Sequence, residues 1–94
     1  MRFVREVFVA KPGSASKLAA LMKEAVPAGW VGDCRFMTDM TGVYNRVVLE
    51  TEVGSLAALE KRMQEYADNK AMHEKLKGYT DLYRTGGREI FRVW

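Results

Sequence analysis

Val43 to Val53 reads VYNRVVLETEV, and this stretch decides the fold. Strand side chains point to opposite faces in turn, so Val43, Asn45, Val47, Leu49, Thr51 and Val53 share one side, and Tyr44, Arg46, Val48, Glu50 and Glu52 the other. The first side belongs against a core. The second mixes apolar with charged residues, which suits a surface covered by a partner or lining a pocket better than one left open to water.

Before this strand, Trp30 to Met40 (WVGDCRFMTDM) reads as a less regular strand, and Thr41 and Gly42 form a turn between the two. The short connection makes them antiparallel neighbours. Arg2 to Ala10 (RFVREVFVA) is a third strand, with both faces mostly apolar and each carrying charge. Lys11, Pro12 and Gly13 stop it, and Ser14 is placed to cap a helix whose apolar stripe is Ala15, Leu18, Ala19, Leu21, Met22, Ala25 and Val26. Pro27 and Gly29 end that helix.

After the 43 to 53 strand, Gly54 and Ser55 lead into a longer helix with Leu56, Leu59, Met63, Tyr66 and Ala67 as its buried stripe. The stripe loses register around Asp68, Asn69 and Lys70 and resumes at Met72 and Leu76, which predicts a kink or a second short helix ending at Gly78. Thr85, Gly86 and Gly87 read as flexible, and Arg88 to Trp94 (REIFRVW) as a last strand. Strand, helix, strand, strand, helix, strand is the ferredoxin-like βαββαβ order. It gives an α+β domain with a four-stranded antiparallel sheet and helices on one face. The opposite sheet face carries apolar residues from every strand, so the expected partner is a second copy of the chain.

Ninety-four residues make one domain, residues 1–94. With 48% hydrophobic and 29% charged residues the composition is globular, and the net charge of +3 is spread along the chain. Neither nucleic acid nor membrane is an expected partner. One cysteine, Cys34, and one histidine cannot build a typical His/Cys metal site, and no cofactor is expected. No apolar run approaches the roughly 18 to 20 residues that span a bilayer, and no secretion signal is expected. The expected location is cytoplasmic.

KPG at 11 to 13, VGSLAALEK at 53 to 61 and GGREIFRV at 86 to 93 resemble the dimeric α+β barrel superfamily, and most closely its NIPSNAP-like branch. That superfamily includes cofactor-independent monooxygenases of antibiotic biosynthesis, haem-degrading monooxygenases, lactone isomerases and polyketide cyclases, with many members of no known activity. Its haem-degrading members place an Asn, a Trp and a His around the ligand. Here only His73 loosely corresponds, which tells against haem degradation. RNA-recognition modules share the element order but carry paired aromatics on the third strand, and RVVLETEV has none.

His73 is a candidate acid or base if it faces the interior; otherwise it is a solvated histidine favoured at a helix C-terminus. Arg92 is the other candidate catalytic residue. Tyr44, Arg46, Val48 and Glu50, with Phe8 and Trp94, are candidate ligand-binding residues, because a mostly apolar surface with a few polar groups is what a small-molecule site looks like. An arginine among them could clamp a carboxylate or enolate. The alternative is that these charges pair with Glu6 or across a dimer. Arg5 and Arg35 are candidate rim residues of the same binding surface, with a solvated edge as the alternative for both. Three functions stay open: a ligand-binding homodimer, a cofactor-independent monooxygenase or isomerase, and a structural or regulatory dimer with no ligand.

Overall fold

A computed structural model describes residues 2–25 and 34–94. Strands β1 (Arg2–Ala10), β2 (Arg35–Thr38), β3 (Arg46–Val53) and β4 (Tyr83–Arg92) form one antiparallel sheet in the order β2-β3-β1-β4. Helices α1 (Ala15–Ala25), α2 (Leu56–Asp68) and α3 (Lys70–Lys75) complete the α+β arrangement. The expected ferredoxin-like order is the observed one. The expected end of α1 at Pro27 and Gly29, and Trp30 to Asp33 of the second strand, lie outside the described residues.

The alternation read from β3 is the one that packs. Val47, Thr51 and Val53 are 0%, 4% and 2% exposed, and Leu49 is buried beside them. Register carries this face across the sheet to Val4, opposite Thr51, and to Phe8, opposite Val47. The main core gathers Ala10, Leu18, Met22, Ala25, Val47, Met72 and Leu76, while Val4, Val53 and Leu59 form a second cluster under the start of α2.

The kink after α2 occurs where the stripe slips. Asn69 is at once the C-cap of α2 and the N-cap of α3, its side chain accepting from the Met72 N–H at 3.0 Å. Gly78 then turns the chain at φ 88°, in the left-handed region glycine tolerates.

Three expectations are corrected. The third strand begins at Arg46, not Val43, because Asn45 takes φ 64° and breaks the extended run; Tyr44 is therefore a loop residue. Thr85, Gly86 and Gly87 are ordered within β4, opposite Val9, Phe8 and Val7 of β1, and the strand ends at Arg92. Gly86 belongs there for a steric reason: a Cβ at this position would lie 2.7 Å from the Val7 carbonyl oxygen. Finally, Leu56, Met63 and Ala67 of α2 are exposed rather than buried, because α2 rests on the sheet chiefly through Leu59.

Candidate functional site

Where α2 stands away from the sheet, a cleft of about 250 Å³ remains between sheet and helices. Its floor is Glu6 and Phe8 of β1, Leu49 of β3 and Arg88 of β4; Met22, Met63, Tyr66, Leu76 and Tyr79 close it from the helical side. Mostly apolar walls with a few converging polar groups define a small-molecule site. An apolar cavity of about 150 Å³ can hold benzene, so this one has room for a molecule of one or two rings.

The polar groups come from opposite sides. On the sheet, Glu6 and Arg88 are register partners and form an ion pair from Arg88 Nε to Glu6 Oε1, while Arg88 Nη1 lies 3.4 Å from Met63 Sδ. On the helical side the Tyr79 phenol is held above its ordinary pKa, first by burial and then by the neighbouring Tyr66. Tyr83 is raised as well, again first by burial and then by Tyr79. The Tyr79 and Tyr83 rings lie 5.8 Å apart, and Tyr83 packs edge-on to Phe8 at 5.1 Å. At neutral pH these phenols are uncharged hydrogen-bonding groups.

The structure scatters most of the candidates named from the sequence. Phe8 alone among them lines this cleft. His73 is exposed on α3; its Nε2 lies 2.7 Å from the Tyr66 carbonyl oxygen, and its ring rests on the Tyr66 ring at 4.8 Å. A carbonyl only accepts, so Nε2 carries the hydrogen, and the side chain clasps α3 to the end of α2 rather than facing the interior. Arg92 is exposed opposite Arg2 and shares the sheet face of Arg88, so it does not meet Arg46 and Glu50. Tyr44 and Trp94 are 86% and 102% exposed, outside the sheet.

Arg46, Val48 and Glu50 do share the helix-free face, around a second cleft of about 280 Å³ with Arg5 and Met37. Their charges are already matched. Arg46 reaches Asp39 at 3.0 Å, and the buried Glu50 is bracketed by Arg5 at 2.9 Å and the exposed Arg35 at 3.9 Å. Arg5 also lies 5.6 Å from the centre of the Phe91 ring. Glu6 serves none of these residues; its partner is Arg88.

Glu6, Arg88, Met63, Tyr66 and Tyr79 were missed as site residues. A faint signal existed for the first two, since each is a charge set in the apolar face of a strand, between Val4 and Phe8 and beside Ile90. Among the described residues no group of three or more His, Cys, Asp or Glu could hold a metal ion, and no helix is long and apolar enough to cross a membrane.

Fold and cleft together define a ferredoxin-like α+β protein with a ligand-sized space between sheet and helices. No family model and no curated protein matches the chain. Solved structures do. An uncharacterised NIPSNAP domain protein of Burkholderia xenovorans is 9% identical at a TM-score of 0.86, over 100% of this chain and 95% of that one. A NIPSNAP family protein of unknown function from Agrobacterium tumefaciens is 16% identical at a TM-score of 0.85, over 97% and 86% of the two chains. A structure described as an antibiotic biosynthesis monooxygenase is 15% identical at a TM-score of 0.73, over 100% and 99%. The fold is that of NIPSNAP-like and monooxygenase-like proteins, as the sequence resemblance implied; at these identities the likeness is one of fold.

Proposed function

We propose that the protein binds a small, largely apolar ring compound between its sheet and helices and works as a homodimer in the cytoplasm. One observation carries the first part: a cleft of about 250 Å³ lined by Phe8, Leu49, Met22, Met63 and Leu76, with one ion pair and two phenols turned into it. The dimer is supported by the helix-free face, where Val48, Met37 and the 43% exposed Phe91 stand among charges of both signs. Such a surface complements a copy of itself.

The test is thermal unfolding with a naphthalene-type probe. Binding to the folded state alone raises the melting temperature, by mass action. Met63→Trp, at a 36% exposed position on the cleft, fills the space and is expected to abolish the rise. A probe that leaves the wild-type melting temperature unchanged contradicts the reading.

A second reading, an enzyme, is favoured by the convergence of Glu6, Arg88, Tyr66 and Tyr79 on one apolar space. In the monooxygenase or isomerase form of that reading, air-dependent turnover of an oxygen-sensitive quinol, or isomerisation of a small lactone, falls sharply in Arg88→Gln. Unchanged turnover there excludes it.

A further inference from the structure

We propose that the Glu6–Arg88 pair makes the cleft selective for a neutral ligand bearing a hydroxyl group, and selective against a carboxylate. The inference rests on the cleft being the binding site. Glu6 and Arg88 both line the cleft, where Arg88 Nε donates to Glu6 Oε1 and Arg88 Nη1 faces Met63 Sδ. Glu6 Oε2 and Arg88 Nη2 make no protein hydrogen bond among the described residues. A carboxylate oxygen only accepts and a guanidinium nitrogen only donates. A hydroxyl does both. One hydroxyl can donate to Glu6 and accept from Arg88, and both bonds are assisted by charge.

An anionic ligand meets a different situation. Arg88 is already neutralised by the acid opposite it, so an incoming carboxylate gains little from the guanidinium and is repelled by Glu6 beside it. Tyr66 and Tyr79 add only uncharged groups to the helical side of the cleft. An ether in place of the hydroxyl can accept but not donate, and leaves the Glu6 oxygen desolvated without a partner. Ligand class follows from this: a ring alcohol or phenol of one or two rings.

The test compares naphthol, methoxynaphthalene and naphthoate as fluorescent probes of the full chain at neutral pH. Naphthol is expected to bind about tenfold more tightly than methoxynaphthalene, since a hydrogen bond to a charged group is worth at least about 1.5 kcal/mol. Naphthoate is expected to bind more weakly than either. In Glu6→Gln, Arg88 loses its anion: the naphthol advantage shrinks and naphthoate gains about tenfold. A pair that merely staples β1 to β4 would produce no such reversal. Equal binding of naphthol and its methyl ether, or tightest binding of naphthoate, by the wild-type chain overturns the inference while leaving the cleft as a binding site. No binding of any probe overturns both. The wild-type order decides even if the variant fails to fold.

Discussion

Glu6 and Arg88 stand directly opposite each other on β1 and β4, 82 residues apart in sequence, and their ion pair is the charged part of the strand side of the cleft. Their side chains are 21% and 38% exposed, so water screens the pair only in part. Arg88→Leu strands the Glu6 carboxylate and is expected to cost about 1 to 2 kcal/mol, discounted from a fully buried pair. The double variant Glu6→Leu/Arg88→Leu leaves no stranded charge and should cost less than Arg88→Leu alone. Urea midpoints of the three proteins check this; a double variant less stable than the single one contradicts it.

Gly86 sets how closely β4 can pass β1. A methyl group there would meet the Val7 carbonyl at 2.7 Å and the Phe8 ring at 3.4 Å. Backbone cannot yield as a flexible side chain can, so Gly86→Ala is expected to destabilise by about 1 to 3 kcal/mol despite the high strand tolerance for alanine over glycine. Gly87→Ala, with nothing within 4 Å, should be close to neutral. Equal effects of the two substitutions in chemical denaturation contradict the steric reading.

Leu18 is 0% exposed at the centre of the main core, whereas Leu56 is 53% exposed on α2. Leu18→Ala is expected to cost about 2 to 5 kcal/mol, and Leu56→Ala within about 0.5 kcal/mol of nothing. A large loss at Leu56 would show that the first turn of α2 is packed, and would contradict its exposure.

Tyr79 and Tyr83 give a stability change at alkaline pH. Both phenols are raised above the ordinary 10.0, first by burial and then by their tyrosine neighbours, so the fold favours the neutral form. The unfolded chain releases these protons at lower pH than the folded one. Their contribution to stability is thus complete below pH 10.0 and is lost as pH rises through the folded values. Urea midpoints measured on either side of that pH should fall in the wild type and fall less in Tyr79→Phe. A slope unaffected by this substitution contradicts the assignment.

The helix-free face makes a prediction about assembly. Val48→Asp places a second acid beside the buried Glu50 on that face. Sedimentation is expected to show a dimer for the wild type and a monomer for Val48→Asp. A wild-type chain that sediments as a folded monomer at micromolar concentration contradicts the homodimer.

The elements were legible in the sequence because each wrote its own period. The twofold alternation of β3 separated Val47, Leu49 and Val53 from Val48 and Glu50, and the slip at Asp68 to Lys70 marked the break between α2 and α3. The site was far less legible, because it depends on register between distant strands. Nothing local to Arg88 says that Glu6 will face it. The same limit explains Thr85 to Gly87: glycines read as flexible when seen alone, yet pairing with Val7, Phe8 and Val9 makes them strand. Arg46 and Arg92 looked alike in sequence, but pleat parity sends their side chains to opposite faces of the sheet.

The central claim is that the ligand occupies the space between sheet and helices, and the methionines test it most directly. Of the six in the chain, Met22 and Met63 line that cleft, Met37 lies on the helix-free face and Met40 is 97% exposed in the loop before β3. Methyl NMR spectra of methionine-labelled protein titrated with naphthol are expected to show shifts at Met22 and Met63, with Met37 and Met40 unmoved. Shifts at Met37 with Met22 and Met63 silent would place the ligand on the other face of the sheet and contradict the claim.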